Sequence, residues 1–83
     1  MSGLREQFGN RLRTIRSARR MSQEEFSELL GISVDFLSLI ERGINAPSFE
    51  NLEAFSIRLG IRVHELFVFE LAEPTPDAPI NSK

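Results

Sequence analysis

Along most of the chain, apolar residues recur at three- and four-residue intervals in short runs, each closed by glycine or a polar turn. Leu4, Phe8, Leu12 and Ile15 make one stripe of a first helix that runs to about Arg19, with Arg5, Arg13, Arg16 and Arg20 off the stripe. Ser22 is placed to cap a second helix, and Glu25 three residues on completes the spacing of a capping box. Phe26, Leu29 and Leu30 supply its apolar face. Gly31 ends it, because glycine takes a positive φ without steric penalty. Ile32 reads as a buried spacer. Ser33 caps a third helix carrying Phe36, Leu37 and Ile40, and Gly43 closes it. Helices joined by so short a turn cross at roughly 90–120°, and the small Ser27 suits the crossing point.

A loop over Ile44 to Pro47 follows. Ser48 is positioned to cap a fourth helix, whose Phe49, Leu52, Phe55, Ile57 and Leu59 are assigned to the core, with Gly60 after its last turn. A short fifth helix is expected from Val63 to Phe67, with Val63, Leu66 and Phe67 as its apolar residues. Arg62 in the N-cap slot caps poorly, so an irregular start is expected. Phe67, Phe69 and Leu71 alternate, which suits a strand, and a continued helix fits equally. Val68, Phe69 and Leu71 exceed what a five-helix core needs. Pro74, Pro76 and Pro79 make residues 74–83 an expected extended tail. The expected organisation is therefore one all-α domain over residues 1–73, then a Pro-rich tail.

The stretch from Ser22 to Gly43 resembles the helix-turn-helix of the lambda repressor and Cro family, also called the XRE family. The resemblance rests on Gln23 opening the first helix of the pair, on Ser27, Gly31, Ile32, Leu37 and Ile40, and on the E-R-G of Glu41, Arg42 and Gly43. The pattern F-G-x-x-L-R-x-x-R from Phe8 and P-S-x-x-x-L from Pro47 extend it from about Phe8 to Phe67. It implies a compact five-helix lambda-repressor-like domain with a short apolar extension. It also implies an ion pair between Arg16 and Glu41. Small proteins of this family commonly dimerise around the fifth helix. Leu66, Phe67, Val68, Phe69 and Leu71 are accordingly expected in a homodimer contact, the alternative being that the surplus folds back on its own core.

Composition narrows the function without fixing it. The 83 residues suit one small domain. There is no cysteine and only His64, so neither disulfides nor a thiolate or His-based metal site is expected, and no cofactor or small-molecule ligand is called for. No apolar run approaches the ~18 residues of a membrane span and no signal peptide is visible, which makes a cytoplasmic protein the default. Net charge is −2, yet residues 1–20 carry six arginines and one glutamate while the remainder carries four bases and eleven acids. Such asymmetry suits a one-sided contact with phosphate. Serines 22, 27, 33 and 38 have no histidine partner at a motif spacing, so no catalytic constellation appears and an enzyme is not expected.

By resemblance, the third helix enters the major groove of double-stranded DNA and the second crosses the backbone. Ser22 and Gln23 fall at the phosphate-contacting end of the second helix. Ser33 and Arg42 bracket the third, and Ser38 and Asn45 add backbone contacts. The base-reading slots hold Val34, Asp35 and Leu39, with Phe36 nearby. Here the chain departs from the family, which often places Gln, Arg, Lys, Ser or Thr there. Aliphatic and aromatic groups press against thymine methyls, and Asp35 accepts from a cytosine amino group but repels phosphate. The expected function is a sequence-specific transcriptional regulator, a repressor or autoregulator, that binds a palindromic operator as a homodimer. The alternative is a protein-interaction module that kept the fold and lost DNA.

Overall fold

The computed structural model describes residues 3–69, which form four α-helices and a closing 3-10 helix. α1 spans Leu4–Ala18, α2 Gln23–Leu30, α3 Val34–Glu41 and α4 Phe49–Leu59, and the 3-10 helix covers Val63–Phe67. Among the described residues there is no strand. The expected fifth helix is thus a tighter 3-10 turn. Arg62 offers no side-chain cap there; its backbone N–H donates to Glu65 Oε2 at 3.2 Å and its carbonyl accepts from the Glu65 N–H at 2.9 Å. A poorly capped five-residue segment gains little from α geometry.

Side-chain caps set the helix starts. Ser22 Oγ accepts from the Glu25 N–H (3.1 Å) while Glu25 Oε1 accepts from the Ser22 N–H (2.9 Å), so the capping box is closed in both directions. Ser33 Oγ accepts from the Phe36 N–H at 3.0 Å, and Ser48 Oγ from that of Asn51 at 3.0 Å. Gly31 (φ +79°) and Gly60 (φ +70°) end α2 and α4 in left-handed backbone.

Phe8, Leu12, Phe26, Leu30, Leu37, Ile40, Phe55, Leu59 and Leu66 form the buried core. α1 packs on α3 and on the 3-10 helix, and α2 packs on α3 and α4. Gly9 is where α1 meets the end of α3: a Cβ there would overlap the Ile40 carbonyl oxygen and lie 2.8 Å from that of Glu41. Ile32, expected as a buried spacer, is half-buried and packs against the core.

Two residues assigned to the core from α4 lie outside it. Phe49 is 85% and Ile57 72% exposed. The buried stripe of α4 runs through Leu52, Phe55, Ser56 and Leu59, with Leu52 only half covered. Ser56 takes the core-facing place beside Ile57, its hydroxyl satisfied by donating to Glu53 O at 2.8 Å. Phe49 lies one turn before Leu52, past the edge of the core. Leu4, at the start of the α1 stripe, is likewise exposed.

Candidate DNA interface

α2 and α3 are joined by a turn over Gly31, Ile32 and Ser33. The N–H groups of Gly31 (2.9 Å) and Ile32 (3.0 Å) both donate to Ser27 O, closing the last turn of α2. Ser27 is buried, and its hydroxyl donates to Glu24 O. Arg58 of α4 donates to Leu29 O at 3.3 Å, and its guanidinium lies over Gly31. The C-terminal end of α3 is tied off by Gly43 (φ +78°), with the Gly43 N–H donating to Ile40 O and the Ile44 N–H to Leu39 O, both at 2.9 Å. A Cβ on Gly43 would fall 2.7 Å from Glu6 Cγ, so α1 also closes on this turn.

The expected contact residues divide into two groups. Ser22, Ser33, Asp35, Arg42 and Asn45 are exposed, whereas Gln23, Val34, Phe36, Ser38 and Leu39 are half-buried. Phe36 packs against the hydrophobic core, so much of its ring is committed there rather than to a base edge. Gln23 Nε2 donates to Glu41 Oε1 at 3.0 Å, which brings the start of α2 beside the end of α3. Ser22, Gln23 and Arg42 therefore share one end of the helix pair. Ser33, Val34 and Asp35 occupy the opposite end of α3.

The Arg16–Glu41 pair is present and bidentate: Arg16 Nε donates to Glu41 Oε2 at 2.8 Å and its NH2 to Glu41 Oε1 at 3.1 Å. Glu41 is 3% exposed. Arg16 NH1 adds a bond to Met21 O at 3.0 Å.

Arg5, Arg11 and Arg13 of α1, and Arg19 just past its end, have roles that charge counting does not reveal. Arg11 donates to Glu65 O (2.8 Å) and Arg19 to Leu59 O (2.7 Å), anchoring the 3-10 helix and the end of α4. Arg13 donates to Glu41 O (3.2 Å) and Arg5 to Ile44 O (3.3 Å). Guanidinium groups placed on terminal carbonyls satisfy acceptors that the helix leaves unpaired. Arg5 and Arg13 are exposed, so their charge also stands beside Arg42 at the end of α3. Against them stand Glu6, and Glu41 already neutralised by Arg16. At this end of α3 the exposed arginines Arg5, Arg13 and Arg42 outnumber Glu6, while the exposed Asp35 lies at the opposite end.

A helix-turn-helix family model, HTH_3, matches residues 12–66. The chain belongs to the HTH_3 family. It is 37% identical over 68 residues to the control protein C.MunI of a Mycoplasma species, covering 81% of this chain and 92% of that protein. It is 35% identical over 75 residues to the immunity repressor of Bacillus phage phi105, covering 90% of this chain and 52% of the repressor. The crystal structure of the restriction-modification controller C.AhdI from Aeromonas hydrophila superposes with a TM-score of 0.71 at 35% identity, over 76% of this chain and 96% of that one. This HTH_3 chain is a transcriptional regulator and not an enzyme.

The residues expected in a dimer contact differ in their burial. Leu66 is fully buried in the chain's own core, which removes it from any intermolecular surface. Phe69 is half-buried against the core and Val68 exposed, neither in regular structure, so Phe69 fits the alternative of folding back. Phe8, Phe67 and Phe69 form an aromatic ladder, with ring centroids 5.1 and 6.1 Å apart. Leu71 and the Pro-rich tail lie outside the described residues. Phe49, assigned to the core by the spacing in α4, instead joins Leu4, Val63, Phe67 and Val68 among the exposed apolar residues. Leu4, Pro47, Phe49 and Phe67 border a groove of about 380 Å³ between α1, the α3–α4 loop and α4. Among the described residues no group of acidic or His side chains could hold a metal, and no helix is long and apolar enough to cross a membrane.

Proposed function

We propose that this regulator binds a palindromic DNA operator as a homodimer, in the cytoplasm, acting as a repressor or autoregulator. α3 enters the major groove, and Val34, Asp35 and Leu39 meet base edges. Ser22, Gln23, Ser33, Ser38, Arg42 and Asn45 contact the backbone. The observation that carries this reading is the arginine cluster at the end of α3, where Arg5 and Arg13 from α1 converge on the carbonyls of Ile44 and Glu41 beside Arg42. Arginines clustered at that end suit the neutralisation of backbone phosphates beside it. The interaction-module alternative needed an exposed apolar face at Val34, Phe36 and Leu39. Phe36 is partly spent on the core, which reduces that face.

A second copy covers the apolar face around Phe49 and Phe67. One α3 reads few base pairs, and a twofold dimer sets two such helices about 34–36 Å apart in successive major grooves. The two controller proteins that this chain resembles are matched over nearly their full length. That supports a controller-type regulator. The test is selection of bound fragments from random duplex DNA, with affinity followed across a salt series. Enrichment of a palindrome with a steep salt slope is the expected result. Failure to enrich any sequence at low salt would overturn the proposal.

A further inference from the structure

Among the described residues, Glu41 is the one carboxylate whose hydrogen bonds link α1, α2 and α3. It receives two hydrogen bonds from Arg16 and a third from Gln23. The bidentate guanidinium already neutralises its buried charge. The Gln23 bond is therefore an addition, and its effect is geometric. It fixes the first residue of α2 against the last residue of α3, the two places where the proposed interface begins and ends. A glutamine amide nitrogen carries two hydrogens in one plane. One is held by Glu41 on the protein side. Gln23 is half-buried, so the amide straddles the surface.

We propose that Glu41 is a positioning residue for DNA binding: it clamps the Gln23 amide so that the second N–H is presented, already oriented, to a backbone phosphate. This rests on the DNA-binding reading above and adds a division of labour within it. The long side chain at the start of α2 is ordered before DNA arrives, so the contact costs less ordering on binding. The same bond holds the start of α2 at a fixed offset from α3, which sets how deep α3 sits once the phosphate is engaged.

The test is a double-mutant cycle. Gln23→Met keeps the length and removes both N–H donors. Arg16→Met combined with Glu41→Leu removes the acceptor while leaving no stranded charge, a replacement that buried ion pairs often tolerate. Affinity is read on a random-sequence duplex pool at low salt, because a phosphate contact carries no base preference. Gln23→Met is expected to weaken binding about tenfold in the parent and less than about twofold in the Arg16→Met/Glu41→Leu background. Equal losses in both backgrounds would overturn the clamp while leaving DNA binding intact. A parent that binds no duplex overturns the DNA reading itself. Should the paired background fail to fold, the side-chain amide of Gln23 is followed by NMR in the parent. One hydrogen is expected to exchange slowly with water in the free protein and the second to become protected on adding duplex. Two hydrogens exchanging fast in both states would overturn the proposal.

Discussion

A single methyl group at position 9 tests how closely α1 rides on α3. The added Cβ of Gly9→Ala would meet the carbonyls of Ile40 and Glu41, and backbone atoms at the end of a capped helix have little room to give. The expected cost is about 3 kcal/mol, the upper end of overpacking, read as a lowered denaturation midpoint with an unchanged slope. Glu41 is the second sensitive residue. Glu41→Ala leaves the Arg16 guanidinium without its carboxylate partner and strips Gln23 of its acceptor. Breaking a buried pair costs about 3–5 kcal/mol. Glu24, exposed on α2, serves as the control, and its alanine variant is expected to melt within a few degrees of the parent. Coincident melting curves for the two variants would remove the ion pair from the stability of this fold.

At the scale of the element, α3 is held at both ends by devices of different kinds. Ser33 caps its start, and Gly43 closes its end under Glu6. Arg42 occupies the C-cap position, exposed and next to Glu41. Arg42→Ala is expected to weaken binding on every duplex alike and to flatten the slope of log affinity against log salt by about one unit. A parental slope in the variant would show that Arg42 meets no phosphate. The serine caps and glycine stops were legible in the sequence because each depends on residues within four positions of one another. The α4 face was not. Ile57 is as apolar as Phe55, yet Ser56 faces the core, because the packing of α4 on α2 and on the 3-10 helix decides which stripe turns inward. The arginines of α1 were legible as charge but not as caps. That Arg19 meets Leu59 O and Arg11 meets Glu65 O depends on where distant helices end in space. The same distance dependence hid the Gln23–Glu41 bond, although the Arg16–Glu41 pair was implied by resemblance.

For the whole molecule, the exposed apolar face separates self-association from folding. Phe69 is a poor probe, since it is half-buried against the core and a charge there would disturb the monomer. Phe49 is the better one: it is 85% exposed and stands at the first position of α4. An acid in the first turn of a helix stabilises it by about 0.3–1 kcal/mol through the helix dipole, so Phe49→Glu should fold at least as well as the parent. Its solution mass is expected to fall from two chains to one, because two like charges would meet near the twofold axis without water to screen them. Affinity for a palindromic site should fall with it, while affinity for a single half-site, read by one α3, stays near the parental value. A dimer that survives Phe49→Glu would move the contact off the groove beside α4. Loss of half-site binding in a well-folded monomer would instead show that Phe49 acts on the α3–α4 loop carrying Asn45, and that the loop, rather than the second copy, is what this face supports.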